Sequence, residues 1–264
     1  MSVDTSGVLF VEVADHIATV TLNRPHARNA LNAELRRMIR STMTAIDADG
    51  DIDVIILTGA DPAFCAGIDL KELGAAAEGV TGSGGLDISG DSRPFDPVAT
   101  PVIGAVNGVA ITGGFELALA CDFLIASEHA RFADTHARVG IQPGWGLTVE
   151  LPRAVGVRRA KELSSTGNFL DAHTALEWGL VNHVVTHSDL LAAAQVLAAD
   201  ISGNDRAGVR RVLLTYDEGA RLTGAEAARL EAQVSADWIR SVSGADVEAR
   251  RLAVTERGRR QTRS

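Results

Sequence analysis

The residues best suited to chemistry in this chain lie in two glycine-bearing turns, Phe64-Cys65-Ala66-Gly67-Ile68-Asp69 and Gly113-Gly114-Phe115-Glu116. In the first, Gly67 can turn the following backbone N–H toward a ligand, and Asp69 suits a cap or first-turn position at a helix N-terminus. In the second, Gly113-Gly114 at a helix start leaves N–H groups free and allows a ligand to approach the backbone closely. Glu116 is then a carboxylate within an otherwise apolar first turn, where burial would suit it to general acid/base work. Each segment taken singly has a plainer reading. The first can be an ordinary strand-to-helix turn, and Glu116 can simply complement the helix dipole.

Other chemistries find no support in the pattern. His129, His136, Asp122 and Asp134 stand near one another in sequence but match no zinc-ligand spacing. The glycine turns lack the lysine and hydroxyl that end a P-loop, and they lack the strand–GxGxxG–helix fingerprint of a dinucleotide site. No serine sits in a nucleophile elbow, and no nucleotide redox cofactor is implied.

The elements that must position these turns can be read from periodicity. Val8 to Val13 and Ile17 to Leu22 are β-branched runs joined by Ala14-Asp15-His16 and predict a hairpin. Asn32 can cap a helix with Glu34 in its first turn, and Leu35, Met38, Ile39, Met43 and Ile46 follow helical spacing. Gly50 is expected to end it. Asp53 to Thr58 is a continuous apolar run, as expected of a strand covered on both faces. Val102 to Val106 and Phe123 to Ala126 repeat the pattern. The alternation of strand and helix indicates an α/β core. From Leu151 onward the chain reads as almost wholly helical, most clearly over Ala160 to Leu163, Ala172 to Trp178, Leu190 to Ile201 and Ala225 to Ile239. Gly74 to Pro97, rich in Gly, Ser, Ala and Asp, predicts a mobile loop or functional lid. The basic residues 257–264 predict a frayed end.

The 264 residues are 46% hydrophobic and 22% charged, enough to bury a substantial core. No apolar stretch is long enough to predict a membrane span. Met1-Ser2-Val3-Asp4 lacks the blocks of a signal peptide. Two cysteines are too few for a disulfide framework, so the cytoplasm is expected. A net charge of −9 argues against nucleic acid as a partner. It does not exclude an anionic ligand, because a few local cations can hold phosphates and the Debye length is about 8 Å at physiological salt.

Taken together, the two glycine turns resemble the signature regions of the crotonase superfamily, the enoyl-CoA hydratase/isomerase family. Asn23-Arg24-Pro25-His26-Ala27-Arg28-Asn29-Ala30-Leu31 is similar to its opening motif. Ala130-Arg131-Phe132-Ala133, Gly140-Ile141-Gln142-Pro143-Gly144-Trp145-Gly146 and Ala172 through Asn182 match in order. The resemblance runs from about residue 8 to beyond residue 185. It implies a spiral of ββα units over residues 1–195, followed by a C-terminal helical trimerisation region over 196–264, in a homotrimer or dimer of trimers.

For the site, the resemblance implies that the backbone N–H groups of Ile68 and Gly113 hold the carbonyl oxygen of an acyl-CoA thioester. One such donor can be worth about 3–4 kcal/mol to an enolate-like transition state. Ala66, Gly67 and Gly114 would line the CoA site. Lys71, and more weakly Arg28, could approach the CoA phosphates, although for either cation alone a solvated surface charge is the plainer reading. Coenzyme A arrives as part of the substrate, and no separate cofactor is implied. Hydratases of the family carry two glutamates. The first matches Glu116, which would polarise the attacking water, but the second position holds His136. Three expectations follow: hydration of a trans-2-enoyl-CoA with His136 supplying or relaying the α-proton; enolate chemistry such as double-bond isomerisation on Glu116 alone; or acyl-CoA binding with little turnover, His136 being a structural residue bonded to Asp134 or a backbone carbonyl.

Overall fold

The computed structural model describes residues 7–72 and 93–261. The expected loop over Gly74 to Pro97 therefore lies outside the described residues as far as residue 92. Its described end is packed, with Phe95 buried in the core and the Arg93 carbonyl accepting from Arg40 Nη2. The chain divides into two compact units, Met1–Arg210 and Arg211–Ser264.

The first unit is built on two sheets. The larger has six strands, β1 (Leu9–Ala14), β2 (Ile17–Leu22), β3 (Val54–Gly59), β5 (Val102–Val106), β7 (Phe123–Ser127) and β10 (His183–Val185), in that spatial order. The β1–β2 hairpin is antiparallel, as its two alternating runs imply, and every other pairing is parallel. The continuous apolar run in β3 is explained by cover on both faces. Ile55 and Leu57 enter the main core, while Val54 and Ile56 join Ile17, Ile103, Ala105 and Ile125 beneath α7 (Leu190–Ser202). On the main-core side lies α1 (Ala33–Asp47), which buries Leu35, Ile39, Met43 and Ile46 along one stripe. Asn32 caps α1 by accepting from the Leu35 N–H. Its C-terminus departs from expectation, because Ala48 in the right-handed helical region is the cap and Gly50 lies beyond it.

The smaller sheet is the part that carries the site. It comprises β4 (Ala63–Cys65), β6 (Val109–Ile111), β8 (Arg131–Ala133) and β9 (Leu170–Asp171). Each long strand β3, β5 and β7 is followed by a short strand of this second sheet, and the chain then turns into helix. Residues 70–72 open one such helix, and α2 (Gly113–Leu119) and α3 (His136–Val139) are the others. This is a spiral of ββα units. The helices α4 (Leu147–Val155), α5 (Val157–Thr166) and α6 (Ala172–Glu177) complete the unit's packing. The nearly all-helical expectation after Leu151 is thus corrected by β9 and β10, which pair with β8 and β7.

The second unit is helical. It contains most of α8 (Arg206–Gly219), then α9 (Gly224–Ser241) and α10 (Gly244–Gln261). A reciprocal capping box between Thr223 and Glu226 starts α9. Residues 257–261 are helical rather than frayed, since α10 continues through Gln261.

Candidate functional site

Both glycine turns leave the small sheet at its C-terminal edge, Gly67 after β4 and Gly113 after β6, so the parallel pairing of those strands brings them side by side. Gly67 has φ +89°, and a Cβ there would lie 2.6 Å from the Ile111 carbonyl oxygen and 3.3 Å from the Gly113 nitrogen. Only glycine allows this approach. On either side of Ile68, the Gly67 carbonyl accepts from Leu31 N at 2.8 Å and Asp69 N donates to the Leu31 carbonyl at 3.2 Å. Those two bonds fix the peptide planes flanking Ile68 without using its own N–H.

The second turn is fixed by strain as well as by hydrogen bonds. Thr112 adopts φ 54° and ψ −114°, which is uncommon for a β-branched residue. It is held by its N–H on the Ala133 carbonyl (2.9 Å) and by its hydroxyl against that of Thr135 (2.6 Å). The Thr112 carbonyl accepts from Phe115 and Glu116. Among the described residues, nothing accepts from the N–H of Ile68 or of Gly113. The structure therefore presents the two expected donors together, on rigid backbone, at a helix start. Gly114 lets the helix close on β4, for a Cβ there would stand 2.1 Å from the Cys65 carbonyl oxygen.

The N-terminal motif is a clamp on the first turn. Buried Asn29 accepts from Arg24 N at 2.8 Å and donates to the carbonyls of Ala60 and Ala63 at 2.8 and 2.7 Å. Arg24 pairs with Asp69 at 3.0 Å, and its cationic head together with the hydrogen bonds at Asp69 outweighs burial and holds that carboxyl below its ordinary range. Arg28 is exposed, and its carbonyl accepts from Ala66 N at 3.0 Å. Its backbone, rather than its guanidinium, is what the structure ties to the turn. Lys71 is exposed in the helical turn after Asp69, and its N–H donates to Asp69 Oδ1 at 3.2 Å.

Glu116 and His136 come together. Glu116 is 3% exposed, and its Oε1 accepts from the N–H groups of Gly144 (3.2 Å) and Trp145 (2.7 Å). Its Oε2 stands 3.6 Å from His136 Nε2, an ion-pair distance longer than a hydrogen bond. His136, 4% exposed, is the first residue of α3 and directs Nδ1 to Asp134 Oδ1 at 2.6 Å. Burial alone would lower the imidazole's pKa. The bonds and charges of Asp134 and Glu116 overcome it and raise the value to about 9. At neutral pH the ring is an imidazolium that donates from Nδ1 to Asp134 and presents Nε2 to Glu116 Oε2 at 3.6 Å. For Asp134, burial pushes the pKa up, but hydrogen bonds from His136 and Ser164 prevail and hold it low.

Sequence reasoning named Glu116, His136, Ile68 and Gly113 and passed over Gly144, Trp145 and Asn29 as members of the site. The first two act through main-chain N–H groups, which leave no signature in side-chain identity. Neither cysteine is a nucleophile here, since burial pushes the Cys65 thiol up to about 12 and raises Cys121 further. Among the described residues, no group of three or more His, Cys, Asp and Glu is placed to hold a metal ion.

This arrangement suits chemistry at a thioester: two N–H donors for an oxyanion, a carboxylate to take a proton and an imidazolium to give one. Comparisons with known proteins point the same way. The sequence model of the family described as "Enoyl-CoA hydratase/isomerase" matches residues 12–254. The chain is 40% identical over 223 residues to the Arabidopsis thaliana protein named "Probable enoyl-CoA hydratase 1, peroxisomal", covering 81% of this chain and 80% of that one. It is 36% identical over 228 residues to the crotonyl-CoA hydratase of Syntrophomonas wolfei, covering 85% and 86%. A crystal structure of an enoyl-CoA hydratase from Mycobacterium smegmatis superposes with a TM-score of 0.74 at 49% identity, covering 90% of this chain and all of that one.

Proposed function

Because the chain belongs to the enoyl-CoA hydratase/isomerase family, we propose that it catalyses the reversible addition of water to a trans-2-enoyl-CoA, with Glu116 and His136 as the acid/base pair. The observation that carries this reading is the 3.6 Å approach of Glu116 Oε2 to a protonated His136 Nε2. The Glu116 carboxylate takes a proton from water as its oxygen bonds to the β-carbon. The enoyl π electrons move onto the thioester oxygen, which the Ile68 and Gly113 N–H groups stabilise. The enolate collapses as the α-carbon takes the proton from His136 Nε2. The proton now on Glu116 passes to the neutral imidazole as the two side chains close the 3.6 Å between them, which restores the starting state. Water is added and nothing else is consumed, so the reaction needs no cofactor beyond the coenzyme A that enters with the substrate.

The 3.6 Å approach of Glu116 and the raised pKa of His136 favour hydration over isomerisation on Glu116 alone. They also give His136 work beyond packing. Ala66, Gly67 and Gly114 would line the CoA site, while Lys71 and Arg28 are exposed and could meet the CoA phosphates. The protein is further proposed to be cytoplasmic and a homotrimer or dimer of trimers, without nucleic-acid or membrane partners. Both cysteines are free, and among the described residues no helix is long and apolar enough to cross a membrane. Ile239, Val247 and Val254 leave apolar surface exposed on α9 and α10, which fits a subunit interface.

The direct test is loss of the conjugated enoyl-thioester absorbance with formation of a 3-hydroxyacyl-CoA. Binding of a panel of enoyl-CoA thioesters without hydration would overturn the proposal. Appearance of conjugation from a 3-enoyl-CoA, with no product of hydration, would assign isomerase chemistry instead.

A further inference from the structure

Thr112 and Thr135 occupy equivalent places in the site. Thr112 immediately precedes Gly113 and is the N-cap residue of α2, and Thr135 immediately precedes His136 and is the N-cap residue of α3. A threonine at such a position ordinarily caps its helix, its hydroxyl accepting from an N–H of the first turn. Neither side chain does so here. The two hydroxyls meet each other instead, 2.6 Å apart, Thr112 buried and Thr135 partly so.

The peptide between Thr112 and Gly113 serves twice. Its N–H is the oxyanion donor, and its carbonyl accepts from Phe115 and Glu116 at the start of the helix that carries Glu116. Its direction is set by the torsions of Thr112, φ 54° and ψ −114°, which tight turns ordinarily give to glycine. A β-branched residue left free there would relax toward negative φ and turn the donor away. Two contacts oppose this, the Thr112 N–H on the Ala133 carbonyl at 2.9 Å and the hydroxyl pair. Both come from residues 133–135, the segment that also brings Asp134 to His136 Nδ1 and then opens α3.

We propose that the Thr112–Thr135 hydroxyl pair is a positioning strut, which ties the start of α2 to the start of α3 and fixes the oxyanion donor at Gly113 relative to the proton donor at His136. Neither threonine takes part in the reaction itself. The inference rests on the hydratase reading for the work the strut serves. Negative charge must reach the thioester oxygen and a proton the α-carbon of one bound molecule, so a misplacement of about 1 Å between the two donors costs on the order of a hundredfold in rate.

The experiment uses Thr135→Val, which keeps the shape of the side chain without its hydroxyl, and Thr135→Ser, which keeps the hydroxyl. Thr135→Ala serves should the valine variant fail to fold. Thr135→Val is also made in a Thr112→Gly background, where glycine accepts the same torsions and no hydroxyl partner remains. Three quantities are measured: kcat for hydration, the calorimetric dissociation constant of a saturated acyl-CoA, and the infrared stretch of its bound thioester carbonyl. The stretch reports the oxyanion donors without turnover. Thr135→Val should lower kcat about tenfold or more, leave the dissociation constant within about threefold, and move the stretch back toward its value in water. Thr135→Ser should restore both kcat and the stretch, and in the Thr112→Gly background Thr135→Val should have no further effect. A folded Thr135→Val with wild-type kcat and stretch overturns the strut. So does a loss that Thr135→Ser shares, or one equally large in the Thr112→Gly background. Absence of hydration by the wild type with every enoyl-CoA overturns the hydratase reading instead, and the carbonyl stretch across the variants then decides the strut.

Discussion

Replacing Asp134 with Asn tests the proton donor most directly. The change removes a charge 2.6 Å from His136 Nδ1 and leaves an amide oxygen able to accept from the same N–H. The imidazole stands at about 9 against an ordinary 6.5, which corresponds to about 3 kcal/mol of preference for the charged ring. Asp134 and Glu116 share that preference. Losing the Asp134 charge should lower the ring's pKa by roughly one to two units, to between about 7 and 8. In a profile of kcat/KM against pH, the wild type should lose activity as pH rises through about 9, and Asp134→Asn should lose it correspondingly earlier. Stability must follow the same proton. Folding raises this pKa, so the contribution is complete below 6.5 and disappears as pH rises through about 9. Urea unfolding near neutral pH should show the variant less stable by on the order of 1–3 kcal/mol, with the gap closing at alkaline pH. An alkaline limb that does not move in a variant with wild-type circular dichroism would refute the assignment of the α-proton to His136.

Glu116→Gln should reduce kcat by about a hundredfold to ten-thousandfold while thioester affinity, measured by calorimetry, stays within a few-fold; unchanged turnover would remove Glu116 from the reaction. Gly114→Ala would push a methyl to 2.1 Å from the Cys65 carbonyl oxygen, so thermal unfolding should reveal a loss of about 1–3 kcal/mol, and a wild-type melting temperature would contradict the close approach of α2 to β4. Asn29→Ala removes the side chain that serves Arg24, Ala60 and Ala63. It should cost about 1–3 kcal/mol or more and depress kcat although the residue touches no substrate, and a fully active variant of normal stability would show that the clamp is dispensable.

Much of the frame could be read from the residues. The unbroken apolar run of β3 announced a strand covered on both faces, and the spacing of Leu35, Ile39 and Met43 announced the stripe of α1. The short strands β4, β6 and β8 were not visible. With three residues each, they have too few positions to show a period, and they exist because parallel neighbours pair with them. Gly50 misled for a related reason, since a glycine after a helix permits a left-handed cap without requiring one. At the site, Glu116 stood out as a carboxylate among apolar neighbours. Resemblance alone marked His136, and the direction of its ring depends on Asp134 and on α3 beginning where it does. The donors from Gly144 and Trp145 arrive from 28 and 29 residues downstream, and any side chain would supply the same N–H.

The gap between Glu116 and His136 has a consequence for the reverse reaction. On the proposed mechanism hydration begins from carboxylate and imidazolium, whereas dehydration needs the opposite pair, carboxylic acid and neutral imidazole. These differ only in which of the two groups holds a single shared proton, so they are tautomers of one ionisation state. A change in pH that withdraws that proton disables both directions together. The enzyme then has one pH window for making and for unmaking the hydroxyacyl product, and the direction of flow is left to the concentrations of enoyl and hydroxyacyl thioester.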